Sequence, residues 1–163
     1  MNSGVYFDDV YTYALRIDAT RFVSKDQVHF QVAETDAAIE NACSAEYFPL
    51  RAIQTFSFFP DAGYPWNTVL LESYGYSSSQ EYRLLHAGFN RTSSVGALVK
   101  RSAGIDSFDT LLARALADST EKLDKDSALA FFVKQGYLAR RIYSGIEAVL
   151  LDAKAIRNKK GME

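Results

Sequence analysis

Apolar residues recur at helical spacing through most of the second half of the chain. After Asp106 or Ser107, either of which can cap a helix, five apolar residues fall at positions i, i+3, i+4, i+7 and i+8: Phe108, Leu111, Leu112, Ala115 and Leu116. A second helix is predicted over about 124–135 and a third over about 141–157. Because each has an apolar side, these helices are expected to pack together.

Shorter helices are predicted earlier in the chain from capping residues followed by apolar residues. In chain order they start at Asp8 or Asp9, Thr35 or Asp36, Asn67, Ser78 or Ser79, and Ser93 or Ser94. Their expected ends are near Ile17, Cys43, Tyr74, Leu85 and Leu98.

Two segments in the first 60 residues alternate as strands do. Over residues 27–32, Val28, Phe30 and Val32 would point to one face of a sheet, and residues 50–59 alternate partially. The expected fold class is therefore α+β, predominantly α-helical, with a small two-stranded β element in the first 60 residues packed on a bundle of five or six helices. One domain is expected over residues 1–163, mixed in 1–60 and helical in 61–163.

Composition places the chain among ordinary globular proteins. Hydrophobic residues make up 48% and charged residues 23% of its 163 residues, which is enough apolar surface for one core. The longest apolar run, residues 128–133, is far shorter than the roughly 18–20 residues that a membrane-spanning helix needs. With Cys43 as the sole cysteine and no secretory signal at the N-terminus, we expect a soluble cytoplasmic protein without a membrane partner.

Motifs that carry catalysis or bind metal are absent from the sequence. His29 and His86 are far apart and have no metal-ligand spacing around them, and no phosphate-binding, dinucleotide-binding or nucleophile-elbow motif occurs. We therefore predict no catalytic residue, no metal and no cofactor. An enzyme site assembled in space, such as a pairing of Cys43 with a histidine, stays open, but a non-enzymatic role is favoured.

Charge is distributed unevenly along the chain. Residues 1–80 hold four basic against ten acidic residues, whereas residues 81–163 hold fourteen against ten. Such asymmetry indicates either a basic face for an anionic partner or two halves that attract each other. The basic residues at or near predicted helix ends, which are candidates for binding nucleic acid, are Arg91, Lys100, Arg101, Arg140, Arg141, Lys154 and Arg157.

Two local patterns favour nucleic acid as that partner. Arg91 is followed by the hydroxyls of Thr92, Ser93 and Ser94 at a predicted helix start, where backbone N–H groups can bind phosphate. The last three predicted helices, with Gly136 in a turn, resemble a helix-turn-helix unit in outline, although an ordinary helical bundle has the same pattern. The resulting hypothesis is a nucleic-acid-binding or regulatory module whose basic second half contacts phosphates.

The competing hypothesis is a protein-interaction module, either a homodimer or a small accessory subunit. Tyrosine and tryptophan are enriched in interface hot spots. If they are exposed, four neighbouring aromatic residues would serve as anchors for the partner: Tyr64, Trp66, Tyr74 and Tyr76.

Overall fold

The computed structural model describes residues 10–90 and 93–161. Within them the chain forms five α-helices: α1 (Val32–Ala42), α2 (Thr68–Ser77), α3 (Phe108–Asp118), α4 (Lys125–Gln135) and α5 (Ile146–Gly161). Five short strands accompany them: β1 (Ala14–Arg16), β2 (Phe22–Ser24), β3 (Tyr47–Pro49), β4 (Tyr82–Leu85) and β5 (Ala97–Lys100). Single 3₁₀ turns follow β2, β3 and β5.

The strands form two antiparallel sheets. β1 pairs with β2, with Leu15 opposite Val23. The second sheet has the order β3-β5-β4, so that β5 lies at its centre and Leu98 pairs with both Phe48 and Leu84. This sheet joins the first third of the chain to its second half.

The central strand β5 is buried on both faces. Because side chains alternate along a strand, Ala97 and Val99 enter the hydrophobic cluster built by α3, α4 and α5, while Leu98 enters the cluster built around α1 and α2. All three side chains are 1% exposed or less. A third cluster packs β1 and the first turn of α2 around Tyr11 and Leu70. The three-stranded sheet is therefore covered by helices on both sides.

Three predicted helices form with the capping residues that the sequence indicated. The Asn67 side chain accepts hydrogen bonds from two amides of α2, Ser107 accepts from Thr110 at the start of α3, and Asp124 accepts from Ser127 at the start of α4. Gly136 ends α4 in the left-handed conformation at φ 95°.

The expected fold class is wrong. Helix still outweighs strand, at 46% against 11%, but the strands run across the whole chain and form two sheets instead of one element in the first 60 residues. Neither of the two segments predicted as strands forms one. Residues 25–27 and 50–52 are 3₁₀ turns, and Val32 begins α1. The alternating side chains Val28, Phe30 and Val32 still pack into the hydrophobic clusters, but they do so from an irregular segment and the start of a helix.

Two predicted helices are in fact strands. The segments after Ser79 and Ser94 form β4 and β5. The apolar neighbours of β5 are buried on both faces of the sheet, and Leu84 and Leu85 of β4 are partly buried against opposite clusters, so neither segment has the alternation of a half-exposed strand. The predicted first helix is replaced over residues 14–16 by β1, while its proposed caps, Asp8 and Asp9, lie outside the described residues. The last helix begins at Ile146 instead of residue 141.

None of the helices in the described part of the chain is both long and apolar enough to cross a membrane. The chain's division into domains is not tested by these elements and stays a prediction.

A buried carboxylate fixes α1 to the turn between α2 and β4. Asp36, which the sequence suggested as a helix cap, lies inside α1 and is 5% exposed. Its two oxygens accept hydrogen bonds from the hydroxyls of Tyr74 and Ser79 (both 2.7 Å) and from the amides of Gln80 and Glu81 (both 3.1 Å). Four donors thereby compensate the loss of hydration.

We predict that Asp36→Ala lowers the free energy of unfolding by about 3 kcal/mol or more, because it leaves buried donors without an acceptor. Urea denaturation measures this change. The matched control is Glu34→Ala, which removes an exposed carboxylate from the same helix and should cost less than about 1 kcal/mol. Equal losses in the two variants would contradict the role given to Asp36.

Candidate functional site

Two of the proposed nucleic-acid-binding residues are used by the fold itself. The Lys100 ammonium forms an ion pair with Glu40 at 2.7 Å, and the Arg101 guanidinium donates to the backbone oxygen of Ser79 at 3.2 Å. Arg91 lies outside the described residues.

Arg157 is occupied by the C-terminal end of α3. Its guanidinium donates to the backbone oxygens of Leu116, Ala117 and Ser119 at 3.0, 3.2 and 2.6 Å. Carbonyls at the end of a helix have no partner within it, and the negative end of the helix dipole favours a cation there. Arg157 therefore joins α5 to α3, whereas Lys154 on α5 is exposed.

Arg140 and Arg141 differ from these residues because both are exposed in the connection between α4 and α5. No hydrogen bond or ion pair joins either guanidinium to another described residue. The connection is anchored before and after them. The Leu138 amide donates to Phe132 at 3.2 Å and its side chain is buried, while the Tyr143 hydroxyl donates to Asp109.

A groove of about 420 Å³ runs beside Arg140, and we call it the loop groove. One wall is formed after β4 and the other by the α4–α5 connection. Seven of the nine residues that line it are apolar or glycine; the nine are Ala87, Gly88, Phe89, Asn90, Val95, Leu138, Ala139, Arg140 and Ile142. The Ile142 side chain is 76% exposed at its edge.

The chain segments that form the loop groove carry charge of one sign. Residues 86–90, 93–96 and 136–145 include Arg140 and Arg141 and no aspartate or glutamate, although the chain as a whole carries a net charge of −2. Arg140 therefore lines an apolar surface with Arg141 next to it in the chain, and neither has an acidic neighbour from these segments. Asp109, which approaches the same connection from α3, accepts a hydrogen bond from Tyr143. Such a surface is complementary to an acidic ligand with an apolar part.

Of the four proposed aromatic anchors, one is buried and the other three are partly exposed. Tyr74 is 0% exposed, and its hydroxyl belongs to the Asp36 network. Trp66 and Tyr64 are half-buried, and the Trp66 indole donates to Pro60 at 2.6 Å. Tyr76 is 46% exposed and packs edge-on against Phe89. Tyr64, Trp66 and Tyr74 pack in the hydrophobic clusters, where aromatic rings bury large areas.

A second groove, of about 520 Å³, lies between the end of α1 and residues 52–59. Phe58 stands at its edge and is 88% exposed. No charged side chain lines this groove. It therefore does not indicate the chemistry of a ligand.

A buried carboxyl group lies beneath the wall that follows β4. Glu72 on α2 is 0% exposed, and burial raises the pKa of its carboxyl to about 8, against the opposing effects of the Arg16 guanidinium and the Ser94 hydroxyl. Neither carboxyl oxygen makes a hydrogen bond of normal geometry with a described residue. Sequence reasoning missed this group, although Glu72 directly follows the apolar residues 69–71 and so interrupts an apolar run.

Metal-ligating side chains are not clustered in the described part of the chain. No group of three or more histidine, cysteine, aspartate or glutamate side chains is placed there to hold a metal ion. His29 is exposed, His86 packs edge-on against Phe89, and Cys43 packs at the edge of the cluster around α1.

We predict that Glu72 makes the fold less stable as pH rises from about 4.5 to about 8. In that interval the unfolded chain has released the Glu72 proton while the folded chain still binds it, so the free energy of unfolding falls by up to about 1.4 kcal/mol per pH unit. Urea denaturation at about pH 5 and about pH 8 should show a loss in the wild type that Glu72→Gln largely removes. Parallel losses in both proteins would show that other groups cause the pH dependence.

Comparison of the chain with protein-family models, with curated proteins and with solved structures finds no match. The function must therefore be inferred from the chemistry of the residues that form the loop groove.

Proposed function

We propose that this chain is a non-enzymatic protein-interaction module that binds an acidic segment of a partner protein in the loop groove. The supporting observation is the pair of exposed guanidinium groups at Arg140 and Arg141, which have no internal acidic partner among the described residues. Arg140 lines the apolar groove, and Arg141 is its neighbour in the chain. An acidic segment with one apolar side chain would satisfy both features. Its carboxylates would pair with the arginines, and its apolar side chain would cover Ile142.

The anchoring of the α4–α5 connection favours such binding. Leu138 and Tyr143 hold the ends of the exposed residues 139–142 in the folded chain. A segment that is already held loses less conformational freedom when a partner binds, so more of the interaction energy appears as affinity. No ion pair with another described residue would have to break first.

Nucleic acid is the less supported partner. Non-specific binding needs contacts to several phosphates, each neutralised by a lysine or arginine. Lys100, Arg101 and Arg157 are engaged within the fold, which leaves Arg140, Arg141 and Lys154 among the described candidates. Nucleic-acid binding is retained as an outcome of the following test.

We predict that the double variant R140E/R141E loses binding to acidic peptides at least about tenfold, because attraction becomes repulsion. A phage-displayed random peptide library would be selected on the wild type and depleted on this variant. Enriched peptides, expected to combine Asp or Glu with an apolar residue, would be synthesised and titrated by fluorescence anisotropy. The control K154E/K159E makes the same charge change at exposed positions outside the groove and should bind normally.

Several results would overturn this proposal. Enriched peptides without acidic residues, or equal binding by R140E/R141E, would exclude the groove as an acidic-peptide site. Binding of labelled duplex or single-stranded nucleic acid with a steep salt dependence, weakened alike by both double variants, would assign the basic surface to phosphates instead. A concentration-dependent mass that R140E/R141E abolishes would assign the groove to self-association.

The exposed isoleucine gives an independent prediction. Ile142→Ala should weaken binding of the selected peptides about tenfold, or about 1.4 kcal/mol, since it removes apolar surface that the peptide buries. Stability should change by less than about 0.5 kcal/mol, because the side chain is 76% exposed in the free protein. The matched control is Leu151→Ala on α5, where the side chain is 68% exposed and lies outside the groove. If both variants bind equally well, Ile142 is not an anchor.

A further inference from the structure

The wall of the loop groove that follows β4 is tied to the protein interior by a buried arginine. Arg16, at the end of β1, is 2% exposed. One of its terminal nitrogens donates to the backbone oxygen of Asn90 at 2.9 Å, and the other donates to Ala19 at 2.7 Å. Asn90 also lines the groove. A hydrogen bond from Arg16 therefore helps to hold this wall in place, together with the packing of the Phe89 ring against Tyr11.

The same arginine lies next to the buried carboxyl group of α2. The Ser73 hydroxyl donates to the backbone oxygen of Arg16 at 2.6 Å, which fixes the start of this side chain beside α2 and its neighbour Glu72. The positive charge of Arg16 acts on the Glu72 carboxyl, yet neither carboxyl oxygen accepts a hydrogen bond from it. The Ser94 hydroxyl is near enough to lower the pKa of Glu72, but it makes no hydrogen bond of normal geometry with a described residue.

We infer that Glu72 is a proton-operated latch that sets the position of the groove wall at residues 86–90 and thereby regulates partner binding. This inference rests on the proposed function. In the protonated state, Glu72 is neutral and leaves the Arg16 guanidinium bonded to Asn90. After loss of the proton, the buried carboxylate competes with the Asn90 carbonyl for Arg16 and accepts from Ser94.

The competition favours the carboxylate once it is charged. Arg16 is charged in both hydrogen bonds, but the Glu72 carboxylate carries a full opposite charge whereas the Asn90 carbonyl is only a dipole, and an unpaired charge in a buried position is costly. Because the Arg16 backbone is held by Ser73, only the side chain has to turn. Asn90 then loses a donor, and the wall can move at Gly88, where φ is +143° and even an added Cβ would meet no atom within 4 Å.

Other groups around this site contribute to the balance. Arg16 from β1 and Ser94 after the groove wall act on the carboxyl directly. Tyr76, one helical turn beyond Glu72, and Tyr11 pack on the Phe89 ring, which Tyr11 stacks at 3.7 Å. His86 also packs on Phe89. The variant Glu72→Gln retains all of these groups, so any titration that persists in it belongs to them.

The test follows the Asn90 carbonyl carbon by NMR from about pH 6 to about pH 9.5. We expect a single transition near pH 8 in the wild type that is absent in Glu72→Gln and retained in the exposed-carboxylate control Glu34→Gln. An Asn90 signal that is independent of pH in the wild type would overturn the latch. If Glu72→Gln does not fold, the side-chain carboxyl carbon of Glu72 in the wild type is followed instead, and it must titrate together with Asn90.

Binding supplies the second measurement, with a labelled Asp/Glu-rich peptide from the selection as the probe. Between about pH 6.5 and about pH 9 the wild type should lose at least about threefold in affinity, while Glu72→Gln should lose less than about half of that. Equal losses in both proteins would overturn the regulatory role although the peptide site stands. If no peptide binds at any pH, the proposed function fails, and the Asn90 titration still decides whether the latch exists.

Discussion

The fold depends on the burial of β5 on both of its faces. Ala97 and Val99 pack into the cluster of α3, α4 and α5, while Leu98 between them packs into the cluster around α1 and α2. Neither cluster would be covered without this strand, because each needs the sheet as its floor. The three-stranded sheet in turn supports both walls of the loop groove. One wall follows β4, and the other begins at Gly136, whose backbone oxygen accepts a hydrogen bond of 3.2 Å from the Gly96 amide just before β5.

Local signals predicted the amphipathic helices and failed for the sheet. Ser107, Asp124 and Asn67 cap helices because a cap needs only a side-chain oxygen and the next few amides, all of which are adjacent in sequence. A strand buried on both faces, such as β5, has no polar alternation, and its partner strands are set by contacts that lie outside its own sequence. Periodicity alone therefore could not distinguish it from a short helix.

The candidate site was predicted in part. Arg140 and Arg141 were identified from their charge, and the structure shows both exposed. Arg157 carries the same charge but donates to the carbonyls at the end of α3. That role depends on the tertiary packing of α5 against α3, which the sequence does not indicate. The groove itself is assembled from two segments that are distant in sequence. Glu72 is visible as a charge after an apolar run, but its raised pKa arises from tertiary burial that no local pattern encodes.

The pairing of Phe48 with Leu98 has a consequence for synthesis of the chain on the ribosome. β3 emerges long before its hydrogen-bonding partner β5, so the N-terminal part must wait with an unpaired strand edge and an uncovered cluster until residue 100 has left the exit tunnel. A nascent chain stalled before that point would expose an unpaired strand edge and apolar surface, which are the features that chaperones bind. Fragments divided between these strands should, for the same reason, find each other and complement.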